Sequence, residues 1–403
     1  MKKYTRILTI LVAIIIFVGI VFSAWLFVFK DERNYSSIFL NTYRAAVIDS
    51  IWVAYRETIQ EDGRTIDRGR NYLTTSEGQS YSLLRSVWMD DRDTFEQVLK
   101  WTKHNLQKRE EDQLFAWLWG QQSNGRWDII TEEGGRNSAS DADQDIALAL
   151  IFAAVRWNDS YYLDEANEIL DDIWRQEVVH IGNRPYLVAG NWARDEIRPT
   201  INPSYLSPAW YEIFARVDTE HDWLAVKDTS YEVLNRATWN ELDRGTAVGL
   251  PPDWVSIDRT TGAIVPSMHA DKTTNFSDDA FRTFWRVGLD WEWHQDERAY
   301  EYLNRITFLK DEWEKRGLVY GTYGHDGSLT KTEESSSLYG VLLAYFSIVD
   351  KEIAQEIYDK KIAEYYDTDT ENLKDYLGYY PQNWVWFGMA FYNDRLPNLA
   401  DPD

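Results

Sequence analysis

One short stretch of the sequence carries more acid than local structure requires. Residues 139–147 read ASDADQDIA and place three aspartates within five positions, directly before an apolar run. Ser140 is a good helix N-cap and Asp143 can complete a capping box with it, so these two residues predict a helix start. Capping leaves Asp141 and Asp145 in excess. Because Asp145 falls inside the apolar helix, we expect it to be the buried partner of an arginine.

A second predicted helix start carries Glu77. In the segment Ser76-Glu77-Gly78-Gln79, the side chains of Ser76 and Gln79 can form another capping box. Taken alone, Glu77 is simply a surface acid that the helix dipole favours. Gly78 stands where a helix former would be preferred, which indicates that backbone or a ligand approaches closely at this point.

A third cluster places two aspartates close to an arginine. Asp278 and Asp279 are adjacent, and Arg282 follows Asp279 by one helical turn. A guanidinium at this spacing can hold Asp279 as a carboxylate. The simplest interpretation of this segment alone is a surface ion pair. With the other two clusters, it supplies the paired carboxylates that general acid and base catalysis uses.

The elements that must position these acids are predicted to be helices. Apolar residues recur at helical spacing over 142–157, 161–177, 204–216, 222–236, 278–290, 296–315, 335–349 and 351–364. Alternating β-branched strands are nearly absent. Helices that are apolar all round, such as 146–155 and 338–349, alternate with helices that have one polar face, such as 161–175. This alternation suggests an all-α fold in which an outer ring of helices wraps an inner ring.

Composition narrows the class of ligand. With 42 Lys and Arg against 66 Asp and Glu, the net charge of −24 opposes binding to nucleic acid and to anionic surfaces. The chain has 20 Trp and 25 Tyr, whose flat apolar faces and polar groups suit sugar rings. It lacks cysteine, and its six histidines are scattered without metal-binding spacing. We therefore expect neither a metal site nor a cofactor.

The N-terminus predicts a membrane anchor. Residues 7–29 form an uncharged, mainly apolar run of 23 residues after a basic stub, residues 1–6. Such a run can span a bilayer, which needs ~20 helical residues. A cleaved signal peptide is the alternative, but Phe22-Ser23-Ala24 lacks a small residue that cleavage requires. We expect a cytoplasmic stub, a single transmembrane signal anchor at 7–29, a linker at 30–40 and a cell-membrane protein whose remaining chain is extracytoplasmic.

The acidic clusters belong to an ordered pattern that resembles glycoside hydrolase family 8. The matching motifs, in the order of that family, are Ser76-Glu77-Gly78 with Tyr81, Ala139–Asp143 with the apolar run to Trp157, Asn202–Pro208, Asp279–Arg282 and Asn383–Gly388. Any one of these motifs is weak, whereas five in order are specific. Residues 41–397 are therefore identified as a catalytic domain similar to that family.

The resemblance implies a fold and a set of roles. The fold is an (α/α)6 barrel with a long open cleft, preceded here by the transmembrane helix, and the activity is inverting cleavage of internal β-1,4 bonds. Carried over by position, Glu77 would be the general acid and Asp279 the base that activates water. Asp141 would hold the distorted sugar at the scissile bond. Arg282 and Tyr205 would orient the base and its water.

The chemistry of an inverting glycosidase fits these roles. Two carboxyls ~6.5–9.5 Å apart leave room for the attacking water, and one must be protonated while the other is ionised. Glu77 lies at a helix start, where the ionised form is favoured. Its proton would therefore have to be held by burial or by repulsion from Asp141.

Two features depart from the family's pattern. Ser80 and Ser82 stand where glycines usually follow the acid, and Asp278 stands where a tyrosine usually precedes the base. The first difference affects the surroundings of the acid. Because of the second, the sequence leaves open whether Asp279 alone is the base.

Several aromatic residues near the motifs are candidates for stacking on sugars. They lie in predicted loops or at helix ends, where packing into the core is the alternative interpretation. The candidates are Trp117, Trp119, Trp192, Tyr379 and Tyr380. We expect Trp117, Trp192 and Tyr380 to bind substrate together with Arg282 and Tyr205.

The expected protein is an anchored, monomeric endo-glycosidase that acts on a polysaccharide, most simply a cellulose-like β-glucan. Xylan and chitosan stay open, because specificity depends on side chains that meet the C2 and C6 substituents of the sugar. A non-catalytic glycan-binding protein on the same fold is the alternative from another class, but binding does not require three converging carboxylates. A lyase would need basic groups to neutralise a uronate, which the charge of −24 opposes.

Overall fold

The computed structural model describes a helix-rich chain over residues 43–374 and 378–401. The predicted anchor, residues 7–29, lies outside the described residues. Within them, no helix is long and apolar enough to cross a membrane. Contacts divide the chain into Met1–Asp49 and Ser50–Asp403, and the fold described below is that of the second unit.

Most of the helices lie where the hydrophobic periodicity predicts them. In the described residues they are α1 43–56, α2 Ser76–Trp88, α3 Arg92–Asn105, α4 Ser140–Arg156, α5 Ser160–Glu177, α6 Asn191–Arg194, α7 Pro208–Val217, α8 Trp223–Trp239, α9 Arg282–His294, α10 Glu297–Arg305, α11 Phe308–Arg316, α12 Ser336–Val349, α13 Lys351–Ile357, α14 Ala363–Tyr365 and α15 Tyr379–Tyr392. The predicted helix 296–315 is two helices, α10 and α11. The predicted helix 204–216 begins only at Pro208, because proline suits the first turn of a helix.

Six of the described helices form a closed ring. In chain order α2, α4, α7, α9, α12 and α15 each contact the next, and α15 returns to α2. Nearly every residue of α2, α4 and α12 is buried, as expected for helices that are apolar all round. On the outside, α3, α5, α8, α10 and α13 each pack against the inner helix that precedes them in the chain. This double ring is consistent with an (α/α)6 barrel.

The core explains much of the unusual aromatic content. Five tryptophans are almost completely buried, namely Trp210, Trp223, Trp285, Trp384 and Trp386. These five rings serve packing, which the sequence analysis gave as the alternative to sugar stacking for its aromatic residues. Glycines allow the closest helix contact, since a Cβ added to Gly388 of α15 would lie 1.9 Å from the carbonyl oxygen of Gly340 in α12.

Strands are more frequent than the sequence predicts, but all are short. The described residues hold β1 Thr74–Thr75, β2 Leu118–Gln121, β3 Trp127–Ile129, β4 Val178–Ile181, β5 Arg184–Leu187, β6 Thr200–Ile201, β7 Val255–Ile257, β8 Ile264–Val265, β9 Thr322–Tyr323, β10 Leu329–Lys331, β11 Tyr366–Asp367 and β12 Asn372–Leu373. They form small antiparallel sheets, including β1-β2-β3 and β6-β7-β8. Strands of two to four residues are too short to show an alternating pattern.

Candidate active site

The acids singled out in the sequence converge at the N-terminal ends of inner helices. Glu77 is the second residue of α2, Asp141 is the second residue of α4, and Arg282 is the first residue of α9. Asp279 lies in the turn just before α9. Because the contacts described below join these helix starts, the α2, α4 and α9 N-termini lie at one end of the ring.

The start of α2 is built differently from the predicted capping box. Thr75 is the N-cap, and its Oγ1 accepts a hydrogen bond from the N–H of Gly78 at 3.0 Å. Gln79 turns away from the helix start; its Oε1 accepts from the N–H of Thr65 at 2.7 Å and its Nε2 donates to Thr102 Oγ1 at 2.7 Å. The predicted pair of Ser76 and Gln79 is therefore wrong, because outer segments of the chain supply the partners of Gln79.

The capping box predicted at the start of α4 is also wrong. The N-cap is Ala139, which makes no side-chain cap. Ser140 Oγ donates to the carbonyl of Val188 at 2.7 Å, and Asp143 Oδ1 accepts from the N–H of Phe115 at 3.0 Å. These side chains attach neighbouring loops to the helix instead of closing its first turn.

One guanidinium joins all three candidate catalytic acids. Arg282 Nη1 donates to Glu77 Oε2 and, at 3.0 Å, to Asp141 Oδ2, while Nη2 donates to Asp279 Oδ1. The ring of Tyr205 lies beneath the same guanidinium, with its centroid 5.2 Å from Cζ. Glu77 and Asp279 are 19% and 33% exposed, whereas Asp141 and Arg282 are each 2% exposed. The candidate acid and the candidate base are thus partly exposed to solvent, whereas Arg282, which joins them, is buried.

Burial sets the protonation of Asp141. It raises the pKa of this carboxyl to about 7, against the opposing effect of Arg282 and with a further increase from the charge of Glu77. The negative charge of the three carboxyls is reduced in two ways. Arg282 supplies one positive charge, and burial favours the protonated form of Asp141. In the described residues, no group of three or more His, Cys, Asp and Glu is arranged to hold a metal ion.

Tyr379 of α15 contacts the candidate acid directly. Its hydroxyl donates to Glu77 Oε1 at 2.7 Å and accepts from Thr75 Oγ1 at 2.9 Å. The close approach predicted at Gly78 is made by this tyrosine, because an added Cβ would lie 3.3 Å from Cδ2 of its ring. The sequence indicated Tyr379 as a stacking residue, and its contact with Glu77 was not predicted.

Two residues that the sequence analysis missed hold the candidate base. Trp254 Nε1 donates to Asp279 Oδ2 at 3.1 Å. Asp253 accepts from the N–H groups of Ser277 and Ala280, at 3.0 and 2.8 Å, and from Ser277 Oγ at 2.5 Å. Asp253 thus caps the turn that carries Asp279. No periodic or motif signal marks the Asp-Trp pair, because its partners lie more than twenty residues further along the chain.

Asp278 has different surroundings from its neighbour. Its carboxyl is exposed and accepts no hydrogen bond within the part of the chain described. Its backbone carbonyl accepts from the hydroxyl of Tyr380. Asp279, in contrast, is held by Arg282 and Trp254.

Two cavities lie next to the acid cluster. Tyr380 lines a cavity of about 720 Å³ together with Glu77, Asp278, Asp279 and the charged residues Lys331, Glu333 and Glu334, here called the polar cavity. Trp117, Trp192 and Tyr205 line a second cavity of about 330 Å³, here called the aromatic cavity. None of the three acids lines the aromatic cavity, which is connected to them through Tyr205 and its contact with Arg282.

Trp119 is placed elsewhere than expected. It lines neither the aromatic nor the polar cavity. Its ring packs edge-on against Trp101, with centroids 5.2 Å apart, and beside Trp127 at 5.5 Å. As a central strand residue of the β1-β2-β3 sheet, Trp119 contributes to packing and not to the wall of these cavities.

The expected arginine partner of Asp145 is present and is Arg286. Arg286 donates to both carboxylate oxygens, and the Nη2–Oδ2 distance is 2.9 Å. Trp210 Nε1 donates to the same carboxylate at 2.8 Å. Both charged side chains are almost completely buried. This prediction is confirmed, and it removes Asp145 from the candidates for chemistry.

Asp143 forms a buried carboxyl pair with Glu177 at the end of α5. Glu177 Oε1 accepts from Ser138 Oγ at 2.6 Å, and the second oxygens, Asp143 Oδ2 and Glu177 Oε2, receive no other donor within the described residues. Burial raises the pKa of Asp143 to about 8, and burial together with Asp143 raises that of Glu177 well above its ordinary value. These raised pKa values favour a protonated carboxyl, and a proton shared between the two side chains would satisfy both oxygens.

Similarity to known proteins agrees with this site. The sequence profile for glycosyl hydrolases family 8 matches residues 33–373. Endoglucanase A of Acetivibrio thermocellus is 29% identical over 83% of this chain, which spans 65% of that protein's length. An endoglucanase of Escherichia coli K12 is 32% identical over 68% of this chain and 71% of its own.

A solved structure shows the same fold. The endo-1,4-D-glucanase from Vibrio fischeri ES114 superimposes with a TM-score of 0.71 at 24% identity, covering 85% of this chain and 94% of its own. At this identity the likeness supports the fold alone. Because the family profile matches most of its length, the chain belongs to family 8 of the glycosyl hydrolases.

Proposed function

We propose that this protein is an inverting endo-glycosidase that hydrolyses internal β-1,4 bonds of a cellulose-like β-glucan. The observation that carries the proposal is the contact of Arg282 with Glu77, Asp141 and Asp279 beside the polar cavity, which Glu77 and Asp279 line. The aromatic cavity adjoins this cluster through Tyr205, and together the two cavities offer surface for several sugars of a polymer, as an endo-acting enzyme needs.

Glu77 is the proposed general acid and Asp279 the proposed base. They are bound by different nitrogens of Arg282, so the guanidinium lies between them and the two carboxyls are kept apart. An inverting displacement needs such a gap, since water must enter between the base and the anomeric carbon. Asp279 takes a proton from that water while Glu77 gives its proton to the leaving oxygen, and the configuration inverts.

Asp141 is the proposed contact to the sugar at the scissile bond. Its side chain is fixed by Arg282 and by the N–H of Ala142, which donates to Oδ1 at 2.9 Å. A carboxyl that is held this rigidly can hydrogen-bond a sugar hydroxyl without first reorganising. Its contribution would rise as the ring distorts towards the oxocarbenium-like transition state.

Asp279 is preferred to Asp278 as the base because of what surrounds each carboxyl. Arg282 and Trp254 fix both oxygens of Asp279. The exposed carboxyl of Asp278 has no comparable restraint in the described residues. General-base catalysis depends on a group held within hydrogen-bonding reach of its water, which favours the restrained carboxyl.

The relatives support a glucan as substrate. The two similar proteins named above, from Acetivibrio thermocellus and Escherichia coli, are both called endoglucanases. Xylan and chitosan chains have the same β-1,4 linkage, and they differ at the C2 and C6 positions. They belong in the same assay as alternative substrates.

The test is oligosaccharide release by the purified full-length chain from mixed-linkage glucan, carboxymethylcellulose, xylan and chitosan. Rapid loss of viscosity with few reducing ends is expected for a β-glucan. Glu77→Gln should reduce the rate by roughly 10²–10⁴-fold, whereas Asp278→Asn, the matched control, should retain most of it. No product from any polymer, or an equally active Glu77→Gln variant, would refute the hydrolase.

Stereochemistry is tested separately by proton NMR of the first product. Inverting cleavage of a β-linked chain releases the α anomer first, before mutarotation mixes the two forms. An initial β anomer would refute the paired roles of Glu77 and Asp279 even if the polymer is cut.

We also propose that residues 7–29 anchor the enzyme in the cell membrane, with the catalytic domain outside the cytoplasm. The support is the uncharged 23-residue run after a basic stub. In membrane fractions of expressing cells, the full chain should resist alkaline extraction, and added protease should reach its catalytic domain once the cell envelope is opened. Release of the intact chain by alkali would contradict the anchor.

A further inference from the structure

A lysine of the aromatic cavity lies against two tryptophan rings, Trp192 of the same cavity and Trp254. The ammonium of Lys272 is 4.5 Å from the centroid of the Trp254 ring and 5.2 Å from that of Trp192. Both distances are within the range of cation–π attraction. Lys272 lines the aromatic cavity beside Tyr205, whose ring also contacts Arg282. A positive charge therefore occupies a wall on which a sugar chain is proposed to lie.

The loop that carries Lys272 is attached to the rest of the cavity. His269 Nε2 lies 2.6 Å from Glu196 Oε1, and its ring packs edge-on against Trp192 with centroids 5.6 Å apart. The N–H of Lys272 donates to the carbonyl of His269 at 3.1 Å. On the C-terminal side of Lys272, the carbonyl of Thr273 accepts a hydrogen bond from the N–H of Trp254 at 3.1 Å. The backbone that carries Lys272 is thus attached to the rest of the site, and the ammonium itself contacts the two tryptophan rings and Asp271.

Neighbouring acids offset this charge only in part. Asp271 Oδ2 lies 3.3 Å from the ammonium, but the Asp271 side chain is 78% exposed and so is well screened by water. Glu133 lines the same cavity and is exposed. Lys272 is only 21% exposed. Because Lys272 is less exposed than Asp271 and Glu133, the two acids that line this cavity, its charge acts on a ligand in the cavity more strongly than theirs.

The ammonium also lies close to the reacting groups. Trp254, which it contacts, donates to the proposed base Asp279. We propose that Lys272 makes the aromatic cavity select β-1,4-glycans by charge, accepting neutral and anionic chains and disfavouring cationic ones. The inference rests on the proposed function and names the substrate class of the same site. It runs opposite to the net charge of −24, which by itself would favour cationic chains such as chitosan.

The experiment compares three celluloses that share one backbone and differ only in charge. They are carboxymethylcellulose, hydroxyethylcellulose and a quaternary-ammonium cellulose of similar substitution, each assayed with the full-length protein at low and high salt. Lys272→Met should lower the ratio of kcat/KM for the anionic chain to that for the neutral chain about fivefold at low salt. It should raise the cationic-to-neutral ratio, and Lys272→Arg should keep both ratios near those of the wild type.

Lys310→Met is the matched control. Lys310 lies in α11 and forms a surface ion pair with Asp350, the residue between α12 and α13, so the substitution removes the same charge from a residue that does not line the aromatic cavity. Equal ratios in wild type and Lys272→Met, or an equal change in Lys310→Met, would overturn the proposal. If the wild type hydrolyses none of the three celluloses, the proposed function fails. In that case the charge preference is tested by binding, as the retardation of the wild type and the same variants in native gels that contain each polymer. Lys272→Met should lower the retardation by the anionic cellulose relative to the neutral one, and an unchanged ratio would overturn the proposal.

Discussion

Two aspartate–arginine pairs lie one helical turn apart between α4 and α9, and they differ in what else they touch. Asp141 pairs with Arg282, and four residues further along each helix Asp145 pairs with Arg286. All four side chains are at most 2% exposed. Arg282 also binds two carboxyls that are open to the cleft, whereas Arg286 is flanked by the indole of Trp210.

The difference shows that residue type, spacing and burial do not separate the pair that is proposed to take part in the reaction from the pair that has only buried partners. Both pairs have the same types of residue at the same spacing. Only the first is connected to groups that a substrate can reach, through Glu77 and Asp279. The hydrogen-bond partners of the second pair, Asp145 and Arg286, are each other and Trp210, and all three side chains are buried among the inner helices. We expect substitutions in the first pair to affect rate and those in the second to affect stability.

Asp141→Asn has the largest expected effect and acts on the reacting pair. The amide keeps the shape but loses the charge and one acceptor, so kcat/KM on a soluble β-glucan should fall on the order of 10³-fold. The melting temperature should stay within a few degrees of wild type, because Arg282 keeps its other carboxyl partners. Steady-state kinetics and calorimetry measure the two quantities. An active but unstable variant would remove the distinction between the pairs.

Asp145→Ala should give the opposite result. Arg286 would be left buried without its partner, and Trp210 would lose its acceptor, so the free energy of unfolding should fall by about 3 kcal/mol. Below its melting range the variant should keep kcat. Urea unfolding checks the first value, and the double variant Asp145→Leu with Arg286→Met should recover most of the loss. A stable Asp145→Ala protein with little activity would assign this pair to the chemistry.

Asp253→Asn extends the comparison to a residue that acts through another. Asp253 caps the turn of Asp279 and contacts none of the reacting groups directly in the structure. The amide replaces one acceptor oxygen and loosens the turn, so we expect kcat to fall about tenfold with little change in KM. Ser277→Ala, which removes only one of the three hydrogen bonds to Asp253, should have a smaller effect. Partial unfolding would also lower apparent kcat without changing KM, so circular dichroism at the assay temperature measures the folded fraction. A loss of folded protein large enough to account for the lost rate would contradict a positioning role.

The smallest expected effect is a change in how stability depends on pH. Burial raises the pKa of Asp143 to about 8 from an ordinary value of 3.8. Between these values the native state keeps a proton that the unfolded chain has released, so stability falls as pH rises. Glu177→Gln can donate its own hydrogen to Asp143, and the slope should become shallower by about 1 kcal/mol per pH unit. Unfolding by urea at pH 5, 6, 7 and 8 measures it, and an unchanged slope would contradict a shared proton.

The sequence predicted the helices because hydrophobic periodicity is a local pattern. Glu77, Asp141 and Asp279 were singled out by the ordered motifs shared with family 8, since local patterns alone indicated surface acids, and the structure brings these three side chains together at Arg282. The capping predictions failed for a physical reason. Ser140 and Asp143 found better partners in loops that lie far along the chain, and local spacing carries no information on such loops.

Partners were harder to predict than residue types. The sequence indicated that Asp145 needs an arginine but not which one, since Arg286 lies 141 residues away. Trp254 and Asp253 were missed for the same reason, because their partners are brought close only by the antiparallel sheet β6-β7-β8 and the turn before α9. Which residues contact the candidate acids from distant parts of the chain could be found only from the folded structure.

The contact between Arg282 and Glu77 has a consequence for the order of synthesis. The two residues are 205 positions apart, so the guanidinium leaves the ribosome long after the proposed acid. A nascent chain that ends before Asp279 holds Glu77 and Asp141 but lacks both the proposed base and the arginine that joins the three acids. With the proposed roles, such a chain has no hydrolytic activity, and activity appears only after about the last third of the chain has been made and folded.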